Sequence, residues 1–266
     1  MKSANRRTVH SLLTNNVAGI KSVLSDGMMQ LRARLLLHNR LVQLVSQKRG
    51  LEIGGPSDLF RPSGLIPIYQ LAGSLDNCDF SSTTKWSTHS SAFSYREDKS
   101  PGKTFFLDGS KLSSIPDNSY DFVLSCHNLE HFANPVKALR EWMRILHPGG
   151  TLVVIVPFYR KTFDHRRAPT TVEHMLHNFE TDVGEDDLTH LDEVLALHDL
   201  EMDPRAGTIE EFSKRSRSNF LNRCLHHHVF NRDNVRDLLT AVGWEPALIQ
   251  QLGVHVCAIA TSLKQA

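Results

Sequence analysis

The sequence has few cysteines and no long apolar run. Its four cysteines, Cys78, Cys126, Cys224 and Cys257, form no CxxC pair and no regular framework, so a reducing cytosol is the expected compartment. No segment approaches the roughly twenty apolar residues needed to span a bilayer, and the basic start from Met1 to Arg7 is followed by no signal-type apolar run. We therefore expect a soluble, cytoplasmic protein.

The sequence also lacks a dominant charge and two common functional motifs. Its 30 basic and 29 acidic residues give a formal net charge of +1, which offers no reason to propose nucleic acid as the main partner. The G-x-G-x-x-G signature of dinucleotide sites is missing. So is the G-x-S-x-G motif, whose absence counts against a hydrolase.

A glycine loop after an apolar run is the most informative feature that is present. Leu51-Glu-Ile-Gly-Gly-Pro-Ser57 predicts a strand that breaks into a cofactor-binding loop, because glycine permits positive φ and close approach of a ligand to the backbone. Glu52 is placed to hold this loop through hydrogen bonds, and Glu52, Gly54, Gly55 and Ser57 are the four candidate cofactor-site residues. A plain turn is the alternative.

A second block lies roughly seventy residues downstream. Residues 119–125 predict a strand, and residues 126–131 a loop. Residues 134–146 have helical apolar periodicity, Pro148-Gly-Gly150 ends that helix, and residues 151–157 form a fully apolar strand. The pattern is therefore strand, loop, helix, turn and strand.

The two blocks, in this order and spacing, resemble the class I S-adenosylmethionine-dependent methyltransferases. The resemblance implies an α/β, Rossmann-like fold: a seven-stranded, mostly parallel sheet with one antiparallel strand and helices on both faces. It also implies S-adenosylmethionine as the cofactor. A looser likeness, which includes residues 163–167 and 222–230, is to an uncharacterised bacterial subgroup associated with surface-glycan synthesis.

We expect residues 1–48 to be an N-terminal helical extension of a domain that spans residues 49–266. The first fifty residues carry nine Lys and Arg residues against the single acid Asp26, and apolar residues recur there at helical spacing. One interpretation is one or two helices that cover the sheet. The other is a basic amphipathic surface that contacts an anionic membrane or a partner enzyme.

Acidic residues at the strand ends are the next cofactor candidates. Residues 65–69 are predicted as the second strand, ending near Leu75-Asp76. The family resemblance implies an acid there that binds the ribose hydroxyls. Asp76 is the candidate, and Asp79 is the alternative. Residues 104–108 predict the third strand, with Asp108 and Gly109 at the adenine.

Other elements complete the expected fold. His127 and Asn128 leave the fourth strand where they can contact the cofactor's amino acid portion or the acceptor. Residues 247–251 and 254–261 predict a closing antiparallel hairpin. Residues 158–225 form a lid insertion after the fifth strand, placed over the carboxyl edge of the sheet, where open α/β sheets bind ligands.

The insertion is rich in histidine and acids, and three interpretations compete. The catalytic one makes His165 the general base, held by Asp164 or another acid of the insertion, with His131 as the fallback. A metal interpretation finds only a His174 to His177 step of three, and no metal ligand is assigned. The third interpretation is a solvated polar surface.

The expected activity is methyl transfer to a hydroxyl of a sugar or glycan. The sulfonium already makes the methyl group electrophilic, so the protein has to align an acceptor oxygen and exclude water. Two alternatives remain: a non-catalytic cofactor-binding or scaffolding protein, and a methyltransferase of another small molecule.

Overall fold

The computed structural model describes residues 27–85 and 88–265. Eight strands form one sheet: β1 (Arg49–Ile53), β2 (Ser74–Asp79), β3 (Ala92–Phe93), β4 (Gly102–Phe106), β5 (Tyr120–Cys126), β6 (Leu146–Pro157), β7 (Trp244–Leu252) and β8 (His255–Ser262). Their order across the sheet is β3-β4-β2-β1-β5-β6-β8-β7.

Five adjacent strands of this sheet are parallel. β4, β2, β1, β5 and β6 run in one direction, β8 is antiparallel to β6, and β7 is antiparallel to β8. The expected Rossmann-like α/β class, with a mostly parallel sheet and a closing hairpin, is confirmed. The additional eighth strand is the two-residue β3, which pairs antiparallel with β4.

Helices cover both faces. Residues 27–45 form helix α1 in the described part of the chain. The others are α2 (Pro135–Ile145), α3 (Val172–Glu180), α4 (Leu191–Leu197), α5 (Ile209–Arg217), α6 (Asn219–Asn222) and α7 (Arg232–Val242). α2 begins where the Asn134 side chain accepts a hydrogen bond from the backbone N–H of Lys137, with Pro135 in the first turn.

Alternating strand residues build two apolar cores. Val123 of β5 belongs to a cluster with Val136 and Trp142 of α2. Its neighbours Phe122 and Leu124 belong to a second cluster, which includes the buried face of α1. Because successive side chains of a strand point to opposite faces, α1 and α2 pack on opposite sides of the sheet.

The second strand lies further along the chain than expected. Residues 65–69 do not pair in the sheet: Ile68–Gln70 is a 3-10 turn, and Ile66, Ile68 and Tyr69 are buried beside the sheet. A short apolar run looks the same in a buried turn as in a buried strand, and Pro67 has no N–H to give to a ladder. β2 therefore ends at Asp79, not near Asp76.

Only part of the expected N-terminal extension is described. The first run of apolar periodicity, from Val9 to Leu24, lies outside the described residues. The second run forms α1, whose Leu37, Leu41 and Val45 are buried. Within residues 27–85 and 88–265, no helix combines the length and the apolar character that crossing a membrane requires.

Between β6 and α7 the chain folds into α3, α4, α5 and α6. We call this segment the insertion. It has a small apolar core of its own, formed by Leu191, Val194, Ala206, Phe212 and Leu225. This core gives the insertion a fixed shape, so its polar side chains are held in defined positions.

Candidate active site

A cavity opens at the carboxyl ends of β1, β2, β4 and β5. Its lining residues are Ile53, Gly54, Cys78, Asp79, Phe80, Asp108, Gly109, Asn128, His131, Phe132, Glu185 and Arg223. The carboxyl edge of a parallel sheet is the usual ligand site of open α/β folds. The insertion reaches this edge, because it contributes Glu185 and Arg223.

The glycine loop after β1 has the expected shape. Gly54 has φ +77°, in the left-handed region, and a Cβ there would lie 3.0 Å from the Asn128 side chain. Glu52 holds the loop: its Oε1 accepts from the Ser57 backbone N–H at 3.1 Å, and its Oε2 accepts from the Tyr69 hydroxyl at 2.7 Å. Burial raises the pKa of Glu52 to about 8, although these hydrogen bonds act to lower it.

The four predicted contacts of this loop therefore differ in role. Gly54 lines the cavity, whereas Gly55, Ser57 and Glu52 do not. The Ser57 N–H is occupied by Glu52 and by the Tyr69 hydroxyl. Gly55 packs directly on Glu52, since a Cβ there would lie 2.4 Å from its carboxyl carbon. These three residues shape the loop that presents Gly54.

At the end of β2, the acid that faces the cavity is Asp79. Its Oδ2 lies 3.1 Å from His89 Nε2, and the two side chains are only 9% and 5% exposed. Burial raises the pKa of Asp79, and His89 opposes that shift. The carboxylate is thus fixed at the edge of the cavity with capacity to accept further hydrogen bonds.

Asp76, the first choice for the ribose, lies in the middle of β2 and does not line the cavity. Its Oδ2 accepts from Arg49 and from the Tyr120 hydroxyl, at 2.9 and 2.8 Å, and its Oδ1 accepts from the Lys103 backbone N–H. The position assigned to Asp76 was wrong because the strand was placed too early. Asp76 instead links β2 to β1, β4 and β5 through these hydrogen bonds.

Asp108 and Gly109 line the cavity. Asp108 Oδ1 accepts from the N–H and the hydroxyl of Ser110, at 2.8 and 2.7 Å. A Cβ on Gly109 would lie 2.8 Å from the Phe132 ring and 2.9 Å from Ile53. Glycine at this position therefore lets the backbone pack directly against these two cavity-lining side chains.

Arg223 connects the insertion to the sheet across the cavity. Its Nη2 donates to Asp108 Oδ2 at 3.3 Å, and its Nη1 lies 2.7 Å from Glu185 Oε2. The guanidinium also lies 5.7 Å from the centre of the Phe80 ring. This bridge holds two cavity-lining residues of the insertion against the carboxyl end of β4.

Next to the cavity, His131 leads to a buried acid–histidine pair. The His131 ring lies edge-on to that of His226, with 4.6 Å between the ring centres. His226 Nδ1 donates to Asp164 Oδ2 at 2.6 Å, and Asp164 Oδ1 accepts from Arg167 at 3.1 Å. The side chains of Asp164 and His226 are 3% and 11% exposed.

The charges of this pair are defined by its partners. Burial alone would raise the pKa of Asp164, but His226 and Arg167 lower it to about 2, so Asp164 is a carboxylate. Burial alone would lower the pKa of His226, but Asp164 raises it above its ordinary value. With Nδ1 bonded to Asp164, Nε2 is the nitrogen of His226 that remains for a substrate.

Glu130 adds a buried carboxyl to this group. It is 1% exposed, and neither of its side-chain oxygens has a hydrogen-bond partner within the described residues. Burial raises its pKa to about 7. One polar atom each of Glu130, His131 and His226 lies within 4.8 Å of the others. Buried polar atoms without partners are typical of a site that receives a polar ligand.

His165, the predicted general base, lies in a different environment. Its Nε2 is 2.8 Å from Asp199 Oδ2, and Arg166 donates to the same oxygen at 2.9 Å. His165 does not line the cavity, and its neighbour Asp164 pairs with His226 instead. An acid of the insertion does hold His165, but that acid is Asp199. The catalytic role of His165 stays a prediction.

His131 lines the cavity and His127 does not. His131 Nδ1 lies 3.1 Å from the Leu225 carbonyl oxygen, and burial lowers its pKa well below the ordinary value. His127 has φ 48°, and its Nε2 lies 2.7 Å from His255 Nδ1. The neighbouring Asn128 is the residue that faces the cavity.

Sequence reasoning missed several residues of this site. Phe80, Phe132, Glu185 and Arg223 line the cavity, and Glu130 and His226 lie beside it. Two of them carried a local signal: Phe80 directly follows the alternative acid Asp79, and His226 begins the His226-His-His228 triplet. Glu185 and Arg223 carried none, because only the folding of the insertion brings them to the sheet.

A family model described as a methyltransferase domain matches residues 83–154, a range that contains β4, β5 and α2. No curated protein matches the chain.

Solved structures that resemble the chain share little sequence with it. A SAM-dependent methyltransferase from Aquifex aeolicus is 13% identical, with 84% of this chain and 86% of that chain covered and a TM-score of 0.42. A second structure is the 1,6-didemethyltoxoflavin-N1-methyltransferase of Burkholderia thailandensis with bound S-adenosylhomocysteine. It is 13% identical, with 99% of this chain and 92% of that chain covered and a TM-score of 0.46. A possible histamine N-methyltransferase from Thermotoga maritima is 16% identical, with 91% of this chain and 96% of that chain covered and a TM-score of 0.43.

Proposed function

We propose that this protein is an S-adenosylmethionine-dependent methyltransferase. The observation that carries the proposal is the cavity at four parallel strand ends, where Gly54 and the carboxylates of Asp79 and Asp108 surround one space. A glycine that admits close backbone approach and two separated acids suit a nucleoside with an amino acid tail.

Each part of the cofactor has a matching group in the cavity. Asp79 holds the ribose hydroxyls, because a carboxylate accepts two hydrogen bonds side by side. Asp108 accepts from the adenine amino group, and the Phe80 ring offers an aromatic face to the base. Gly54 and Asn128 are left for the amino acid portion.

The chemistry divides between the cofactor and the protein. When bound, S-adenosylmethionine supplies a methyl group that its sulfonium makes electrophilic. The chain's task is to orient the acceptor and to receive its proton. His226 Nε2 would take the proton of the acceptor hydroxyl while the methyl group passes from sulfur to oxygen and S-adenosylhomocysteine leaves, and Asp164 would stabilise the resulting imidazolium through Nδ1.

The acceptor site lies beside His131 and His226. Glu130, His131 and His226 present three polar atoms within 4.8 Å of one another, and together they suit a substrate with neighbouring hydroxyls. A sugar or glycan hydroxyl is the acceptor class we propose. The resemblance of residues 163–167 and 222–230 to a glycan-associated subgroup supports this choice.

The first test is calorimetric titration of the purified full-length protein with S-adenosylhomocysteine. The second measures how much S-adenosylhomocysteine the protein forms from S-adenosylmethionine in the presence of sugar acceptors. We expect saturable binding of one molecule per chain, and release that depends on a hydroxylated acceptor. Absence of binding contradicts the whole proposal. Binding with release only for amine acceptors contradicts the O-methylation part alone.

A further inference from the structure

Three histidines from separate parts of the insertion converge at a second place. His174 lies in α3, His190 caps the start of α4, and His228 lies between α6 and α7. One ring nitrogen of each lies within 4.8 Å of those of the other two. None of the three lines the cavity at the strand ends.

The hydrogen bonds of His228 define which nitrogen is available. Its Nε2 lies 3.1 Å from the Ala133 carbonyl oxygen. A carbonyl can only accept, so Nε2 carries the hydrogen and Nδ1 carries the lone pair. The residue is 1% exposed, and Nδ1 has no hydrogen-bond partner within the described residues. A buried lone pair without a partner is suited to bind a ligand.

The other two rings face each other through their Nε2 atoms, which are 3.0 Å apart. Either they share one hydrogen or both lone pairs are directed at a common cation. His190 Nδ1 lies 3.6 Å from Glu193 Oε2, an arrangement that favours a lone pair on Nε2. The Asn178 amide approaches His174 Nε2 only at 3.5 Å, which is long for a hydrogen bond.

We propose that His174, His190 and His228 bind one divalent transition-metal ion, with Zn²⁺ as the expected occupant. Imidazole nitrogens suit zinc, and zinc–nitrogen bonds are about 2.0–2.1 Å long. Tetrahedral ligation then places ligand nitrogens about 3.3 Å apart, so the 3.0 Å pair is nearly in position and His228 has to move closer. Water completes the coordination.

The polar contacts around these ligands resemble those that orient metal-binding histidines. The Ala133 carbonyl fixes the His228 ring, and the Glu193 carboxylate lies beside His190. Such outer partners set the tautomer of the ligand and raise its basicity. The metal connects α3, the start of α4 and the segment of His228, so it holds the insertion together.

This metal also affects the acid–histidine pair, because His226 lies only two residues before His228. Fixing His228 limits the movement of the segment that carries His226. Because none of the three ligands lines the cavity, we expect the metal to be structural and its binding to be independent of the cofactor.

The test is titration of the chelator-treated full-length protein with Zn²⁺ by calorimetry, and with Co²⁺ by visible absorption. We expect one ion per chain and a Co²⁺ spectrum of tetrahedral nitrogen ligation. At free Zn²⁺ about 100 times the Kd, we expect the melting temperature to rise by roughly 5 to 10 °C. Wild-type protein that binds neither ion saturably overturns the proposal.

Variants locate the ion. His174→Asn and His190→Asn should each weaken Zn²⁺ binding at least tenfold, whereas His177→Asn, at an exposed position of the same helix, should bind like wild type. Circular dichroism of the metal-free variants checks that each is folded. If the wild type binds and the folded His174→Asn and His190→Asn variants keep wild-type affinity, the ion lies elsewhere and the proposal is wrong.

Discussion

Asp164 accepts a 2.6 Å hydrogen bond from His226, a residue 62 positions further along the chain. The histidine next to Asp164 in the sequence, His165, is bonded to Asp199 instead. The buried Arg167 fixes the second oxygen of Asp164. Asp164 is therefore oriented toward His226 beside the cavity, and this geometry favours His226 over His165 as the base.

Replacing His226 should slow catalysis strongly without affecting cofactor binding. His226→Gln removes the group that receives the acceptor proton, so we expect kcat to fall by roughly 10² to 10⁴. The affinity for S-adenosylhomocysteine should stay unchanged, because His226 does not line the cavity. Steady-state kinetics and calorimetry measure the two effects.

His165→Gln is the matched control for this prediction. His165 also pairs with an aspartate of the insertion, but it lies away from the cavity, so its loss should leave kcat nearly unchanged. A His165→Gln enzyme without turnover, together with an active His226→Gln enzyme, would show that the base expected from the sequence is the true one.

The acid limb of the pH profile should report His226. Because Asp164 raises the pKa of His226, kcat/KM should fall as the pH drops through a value above the usual 6.5. Asp164→Asn removes the negative charge, lowers this pKa, and so shifts the limb to lower pH while the plateau decreases. Asp199→Asn should leave the limb in place. An unshifted limb in Asp164→Asn argues against the pair.

Asp79 and Asp76 should differ in their effect on cofactor binding. Asp79→Asn removes a charged acceptor from the cavity and should weaken S-adenosylhomocysteine binding by roughly 1.5–3 kcal/mol, about 10- to 150-fold. Asp76→Asn should affect stability only, because Asp76 is bonded to Arg49 and Tyr120. Calorimetry on both variants decides, and the reverse ranking would restore Asp76 as the ribose acid.

Glu52 should make stability decrease as the pH rises. Its pKa is raised from 4.5 to about 8 in the folded protein. The stabilisation is complete below the unfolded pKa and is lost as the pH rises through the folded pKa. Urea unfolding measures the free energy of unfolding of wild type and of Glu52→Gln. The difference by which wild type is more stable should decrease as the pH rises from about 4.5 to about 8. The pKa of Glu130 is also raised, but Glu130 is present in both proteins, so its contribution cancels in the difference. A constant difference would mean that Glu52 is ionised in the fold.

Local sequence patterns predicted the elements whose signals are local. The block from Ser119 to Pro157 gave β5, α2 and β6 in order, because helical periodicity, proline and glycine act over a few residues. The glycine loop and the closing hairpin followed for the same reason. The mostly parallel sheet with an antiparallel strand came from the resemblance, since no local pattern contains the pairing of distant strands.

What the sequence did not predict depends on long-range packing. Residues 65–69 are as apolar as a strand but pack as a buried turn, which moved the strand-end acid from Asp76 to Asp79. The partners of Asp164 and Asp108 are His226 and Arg223, 62 and 115 positions away. Only the folded insertion selects those partners.

The most direct measurement is a crystal structure of the full-length protein with S-adenosylhomocysteine. We predict that the ribose hydroxyls lie on Asp79, that the adenine lies beside Phe80 and Asp108, and that the sulfur is directed toward His131 and His226. S-adenosylhomocysteine bound away from the ends of β1, β2, β4 and β5, or with its sulfur directed toward His165, would contradict the proposed site.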